Sequence, residues 1–269
     1  MANIQRTNQN NTPVANMKNL LMNKGMQEMF KNALDKNADA FMASIIDVYS
    51  SDGYLINCDA KEVAMVALKA ATLKLPINKE LGFAYLVAYK DNNANKFVPQ
   101  MQIGYKGYVQ LAMRTGQYKN LNANIIYDGM EIEEDYLSGE IKITGSKKSD
   151  KIIGYFCYFK LNNGFEKIKY MTTAEIKKHA QTFSKTYPKG AWKDNFDSMA
   201  LKTVTRLLIS KYGPMSTEMQ KMIMEEEDEE LKATVISSNA ALPFEPEKET
   251  VIVDEETGEI ISEDIQAPF

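Results

Sequence analysis

Apolar positions change their spacing near residue 82 of this 269-residue chain. Before that point they recur every three to four residues, the period of an amphipathic helix. Leu20, Leu21, Met26, Met29 and Phe30 predict one helix over 17–34, and Phe41, Ile45 and Val48 predict a second over 39–49. A third is signalled at both ends. Asp59 and Glu62 have capping-box spacing, Ala64, Ala67, Leu68 and Ala71 form an apolar stripe, and Pro76 stops the helix. From Phe83 the period becomes two: Phe83-Ala-Tyr85-Leu-Val87-Ala-Tyr89 alternates, turn residues follow at 91–95, and 97–103 is extended again. That pattern predicts a β-hairpin.

Residues 105–114 return to helical spacing, closed by Thr115-Gly116. Short strands are predicted around 123–127, 140–144, 152–161 and 166–171, joined by glycine-containing turns. Thr172 and Glu175 form a second capping box that opens a helix to about residue 182. A basic loop over 185–193 then leads into a helix over 194–212, which Gly213-Pro214 ends. The strands lack regular helical crossovers, so the class is α+β, with N-terminal helices and an antiparallel hairpin and meander packed on helices. Four regions follow: a flexible arm over 1–16, N-terminal helices over 17–58 as a candidate oligomerisation region, a core over 59–215, and an acidic, mostly disordered tail over 216–269. Beyond Glu225 the chain is acidic with few aromatics, the composition of a disordered segment.

Charge sharpens that division. Residues 225–269 carry 15 of the 36 acidic side chains and only Lys232 and Lys248 as bases, a net of −13. Residues 1–224 hold 30 basic against 21 acidic groups, a net of +9, which the overall −4 conceals. A basic body with an acidic tail suits a nucleic-acid binder, because the body neutralises phosphates and the tail competes with them. No apolar run approaches the ~20 residues of a membrane span, and the Asn/Gln-rich start is unlike a signal peptide. Cys58 and Cys157 lack CxxC partners and His179 is the one histidine, which argues against zinc and for core cysteines in a reduced, cytoplasmic protein. No cofactor is called for.

The candidate chemistry lies in two basic segments. In the first, Gly104 and Gly107 bracket Tyr105-Lys106 at a strand-to-helix junction, where small residues permit close backbone approach and helix N–H groups face an anion. Lys106, Gln110 and Arg114 then recur every fourth residue as one polar stripe, with Tyr105 and Tyr108 beside Lys106 for stacking on bases. In the second, Trp192-Lys193 precedes Lys202 and Arg206, two cations one turn apart whose nearest local carboxylates, Asp194 and Asp197, lie a turn or more away. A phosphate backbone is their natural partner. Trp192 has two open roles, core anchor and base stacking. His179 is expected at the surface.

Catalytic alternatives fare less well. The segment from Gly139 to Ser149 has five residues between its glycines and Ser146 where a phosphate loop needs lysine. Asp128 with Glu140 and Lys142 has the make-up of a Mg²⁺-dependent nuclease site, a pattern that chance supplies readily in a chain one quarter charged. That nuclease is the runner-up.

The chain resembles the RecT family of phage recombinases at specific residues. They run from Ala70-Ala-Thr-Leu73-Lys-Leu75-Pro76 through Gly82-Phe-Ala-Tyr85 and Phe97-Val-Pro-Gln-Met-Gln-Ile-Gly104-Tyr-Lys-Gly107 to Leu111-Ala-Met-Arg114-Thr-Gly116. A second block, Trp192 with Met199-Ala-Leu-Lys202-Thr-Val-Thr-Arg206, also fits. The resemblance implies ATP-independent annealing of single-stranded DNA through a duplex annealing intermediate, and an annealing-protein core over 59–215. It further implies homo-oligomeric rings or helical filaments and cooperation with a 5′→3′ exonuclease. It carries over no catalytic residue.

The tail ends Ser262-Glu-Asp-Ile265-Gln-Ala-Pro268-Phe269, which is similar to the acidic tip with a final Pro-Phe by which bacterial single-strand-binding proteins recruit partners. Gln266 and Ala267 interrupt the spacing. Two roles are open for the tail: docking on a host partner such as a single-strand-binding protein, or folding back over the basic groove. A solubilising tail is the plainer alternative.

Overall fold

The computed structural model describes residues 12–91, 94–184 and 186–226. It opens with four helices: α1 (Pro13–Leu21), α2 (Lys24–Leu34), α3 (Ala38–Ser51) and α4 (Ala60–Thr72). The single helix expected over 17–34 is thus two. Thr12 caps α1, its hydroxyl accepting from the Ala15 N–H with Pro13 at the first position, and Asn23 caps α2 by accepting from the Gly25 N–H. The start of α1 at Pro13 shortens the expected arm, whose residues 1–11 lie outside the described residues. Met17 and Met26 are core, whereas Met22 (71%) and Met29 (40%) face solvent. Asp59 caps α4 as expected, and Glu62 reaches Lys96 on the hairpin.

The hairpin β1 (Ala84–Asp91) and β2 (Lys96–Ile103) pairs from Ala84 opposite Ile103 to Asp91 opposite Lys96. Helix α5 (Tyr105–Arg114) follows directly. Next come β3 (Tyr118–Tyr127), β4 (Met130–Asp135), β5 (Glu140–Gly145), β6 (Ile152–Leu161) and β7 (Glu166–Thr172). The chain then forms α6 (Thr173–Phe183), α7 (Ala191–Asp194) and α8 (Phe196–Tyr212). A three-stranded sheet has the order β3–β6–β7, while β4–β5 stands as a separate two-stranded finger, and all pairings are antiparallel. The class is α+β as the periodicity predicts. Both halves of the Thr172–Glu175 capping box are formed.

Two cores hold these elements. One joins α1–α5 to the hairpin through Phe30, Ile45, Leu75 and Tyr108, and the other joins the three-stranded sheet to α6–α8 through Phe159, Ile176 and Val204. Helix α8 serves both: Ile209 belongs to the first core and Leu208 to the second. Cys58 and Cys157 are free and buried, and burial pushes their thiols up to about 11 and about 12, so they are inert packing groups. No helix among the described residues is long and apolar enough to cross a membrane.

Helical structure continues beyond residue 215, the expected end of the core. Residues 217–226 are helical, and Met219, Met222 and Ile223 are buried in the first core, so order extends past residue 216. Their spacing of three and four residues is the apolar stripe that anchors the segment. The disorder expected for 227–269 falls outside the described residues.

Candidate nucleic-acid interface

The two glycines at the head of α5 have an internal purpose. A Cβ on Gly104 would lie 2.3 Å from the Gly82 carbonyl oxygen, and one on Gly107 would lie 2.2 Å from that of Phe83. The Gly104 N–H donates to Phe83 at 2.9 Å. The close approach anticipated for a phosphate is therefore made to the chain's own backbone, and it seats the first turn of α5 on the start of the hairpin.

That seating separates the expected stripe. Lys106 is exposed, its aliphatic stem passing over Gly82. Gln110 is half-buried, as is Tyr105, which packs against the second core. Arg114 donates from Nη1 to the Leu73 carbonyl at 2.6 Å and from Nη2 to Lys74 at 3.0 Å, which caps the C-terminus of α4. Tyr108 is fully buried, so its ring is closed to stacking, and its hydroxyl donates to Glu226.

The second segment builds a groove. One wall is the hairpin, with Tyr89, Gln100 and Gln102, and the opposite wall is α6 and α7, with His179, Phe183 and Trp192. Helix α8 supplies the floor: Met199, Lys202, Thr203 and Arg206. Lys202 and Arg206 therefore come together in one concave site, as their one-turn spacing predicts. Lys106, Gln110, Arg114, Tyr105 and Lys193 are not in its lining. Lys193 is exposed beside Trp192.

Three side chains set the chemistry of the groove. Trp192 is 5% exposed, meets Tyr187 and Phe196 edge-on, and donates from Nε1 to the Ser184 hydroxyl at 3.0 Å. It is a core anchor whose edge forms the wall. His179, expected at the surface, is half-buried with its ring 4.6 Å from that of Phe183. Burial first, then the charges of Arg206 and Lys169, push its pKa down to about 4, so the imidazole is neutral at physiological pH. Arg206 is 4% exposed, a cation held near this neutral ring.

Lys202 has the partner that its neighbourhood on α8 lacks. Its Nζ lies 3.3 Å from Oε1 of Glu226 and 3.4 Å from Oε1 of Gln102, whose amide donates to the Tyr89 hydroxyl at 2.8 Å. Glu226 also accepts from the Ile103 N–H at 3.2 Å and from the Tyr108 hydroxyl. Sequence reasoning missed Glu226, Gln102, Tyr89 and His179 as parts of this site. Hairpin alternation places Tyr89 and Gln102 on one face, but nothing local announces that the face meets α8.

The runner-up metal site is not assembled. Asp128 precedes the base of the β4–β5 finger, where Met130 pairs with Gly145, and it accepts from the Ser149 hydroxyl at 3.2 Å. Glu140 pairs with Asp135 at the tip, five residues from Gly145, or about 16 Å at the rise of a strand. Lys142 pairs with Glu133 between them. No group of three or more His, Cys, Asp or Glu among the described residues could hold a metal.

Comparison with known proteins gives concordant matches. The RecT family matches residues 39–237. Protein YqaK of Bacillus subtilis (strain 168), itself uncharacterized, is 44% identical over 231 residues, 84% of this chain and 78% of that protein. Protein RecT of Escherichia coli (strain K12) is 28% identical over 243 residues, 86% of this chain and 88% of that protein. The matched region includes the hairpin, α5 and α8, the elements that build the groove.

Proposed function

The chain belongs to the RecT family, and we propose that it anneals complementary single strands of DNA without ATP, gripping the sugar-phosphate backbone in the groove between the hairpin and α6–α8. Family membership supports a role in DNA recombination and strand annealing. The observation that carries the finer proposal is the groove floor, where Lys202 and Arg206 lie one helical turn apart between aromatic walls. Cations on such a surface hold phosphates without reading base edges, which is what an annealing protein requires. Lys106 and Lys193 are both exposed and available to further phosphates. Arg114 is assigned to the fold rather than to DNA.

A strand many nucleotides long needs more than one protomer. We therefore include assembly into rings or helical filaments, with the exposed Met22 and Met29 of the N-terminal helices in the docking surface. A 5′→3′ exonuclease that supplies single strands, and a host single-strand-binding protein that the tail meets, complete the set of partners in a cytoplasmic setting.

Salt dependence of binding to a labelled oligo-dT tests the backbone grip. Two to four phosphate contacts per protomer give a slope of log K against log salt of about −1.5 to −3. Lys202→Ala and Arg206→Ala should weaken binding on every sequence tried and flatten that slope by about one half to one unit each. A flat salt dependence, or variants that bind like the parent while melting like it, would remove the groove from the account.

A further inference from the structure

The contacts around Glu226 have the composition of an anion site. A backbone N–H (Ile103), a phenol O–H (Tyr108) and an ammonium (Lys202) converge on one carboxylate. The three groups that close on it are all donors, and the Gln102 amide oxygen also accepts from Lys202. The pair is withdrawn from water, with the Lys202 side chain 14% exposed and that of Glu226 11% exposed. Within such surroundings an unpaired ammonium or carboxylate is costly, so the site calls for a negative occupant.

The occupant comes from the first turn of the acidic tail. Glu226 is the last described residue of the helical segment that Met219, Met222 and Ile223 anchor in the core, and its neighbour Glu225 pairs with Lys69 at 2.6 Å. It opens into the run Glu227-Asp-Glu-Glu230, so the carboxylate that enters the groove heads a segment rich in competing charge. The site it fills belongs to the same groove whose floor carries Arg206.

Resting on the proposed DNA-binding role of the groove, we propose that Ile103, Tyr108 and Lys202 form a phosphodiester site, which Glu226 occupies in the DNA-free protein and a DNA phosphate takes over on binding. A carboxylate oxygen and a non-bridging phosphate oxygen present the same kind of acceptor to these donors. Glu226 therefore lowers the apparent affinity by the fraction of molecules in which the site is filled, and it withholds the groove from weak polyanions. Because the contact is made at hydrogen-bond distance, its effect survives salt that screens the rest of the tail.

The test uses the full chain and a labelled oligo-dT, with affinity measured at low and at moderately high salt and melting followed in parallel. Glu226→Gln keeps the shape and loses the charge. It should bind about three- to tenfold more tightly than the parent at both salt concentrations, because the open fraction rises. Lys202→Gln should weaken binding, and adding Glu226→Gln to it should restore little, since the two residues act through one contact. If the parent binds and Glu226→Gln binds no more tightly, or gains only at low salt, the inference is overturned while the groove stands. If Glu226→Gln merely lowers the melting temperature at unchanged affinity, Glu226 is a structural latch and the inference is overturned. A parent that binds no single strand overturns both.

Discussion

Arg114 closes the end of α4 from across the molecule: its guanidinium donates to the Leu73 carbonyl at 2.6 Å and to the neighbouring Lys74 carbonyl at 3.0 Å. Leu73 is the C-cap of α4, and Lys74 takes a left-handed φ of 52°, so this turn leaves carbonyls that the helix itself does not satisfy. Arg114→Ala should therefore cost about 1–3 kcal/mol of stability, or roughly 5 °C in melting temperature. DNA affinity measured well below that transition should change little. A variant that melts like the parent but loses DNA would return Arg114 to the phosphate path.

Gly107 permits no side chain. An added methyl group meets the Phe83 carbonyl oxygen at 2.2 Å and Ile103 Cγ2 at 2.7 Å. Gly107→Ala must push α5 away from the hairpin, which costs about 1–3 kcal/mol and displaces Tyr108 with it. Thermal melting and circular dichroism check this; Gly116→Ala, a position with open space but a φ of 69°, separates the clash from plain backbone strain.

His179 gives the protein a pH signature. Its folded pKa of about 4 lies below the ordinary value of 6.5, so the unfolded chain takes up a proton there first. The stability it contributes is fully present above pH 6.5 and drains away as pH falls toward 4. The parent should lose more melting temperature between neutral pH and pH 4 than His179→Gln does. Parallel curves for the two proteins would show that the imidazole is solvated instead.

Trp192, the one tryptophan of the chain, sits in the groove wall with its indole N–H on Ser184. Its emission should change when oligo-dT enters the groove, and the change should be lost in Lys202→Ala at concentrations where the parent is saturated. Unaltered emission at full occupancy, seen by a label on the DNA, would place the strand elsewhere.

Much of this fold is legible in the sequence because its signals are local. The alternation from Phe83 to Tyr89 predicts the hairpin, and the paired caps Thr172 and Glu175 predict the start of α6. Strand β4 escapes because Met130-Glu-Ile-Glu-Glu-Asp135 is acidic and mostly exposed, held by its pairing with β5 rather than by a buried face. The break between α1 and α2 is masked by an unbroken Leu/Met pattern across Asn23. The helix at 217–226 is hidden because its glutamate-rich end outweighs three apolar anchors.

The groove is legible in part, for the same reason. Lys202 and Arg206 are neighbours on one helix, so their spacing announces them. Glu226 joins them from 24 positions beyond Lys202, and Tyr108 joins through a hydroxyl whose ring belongs to the core. Such contacts are decided by how separate elements pack, which periodicity does not encode.

The central claim is strand annealing. Two complementary oligonucleotides, one carrying a fluorophore and one a quencher, report pairing directly when mixed with the protein in the absence of any nucleotide triphosphate. The account predicts pairing well above the spontaneous rate, unchanged by added ATP, slowed by Lys202→Ala, with both strands recovered at full length. Pairing no faster than that of the oligonucleotides alone would contradict it.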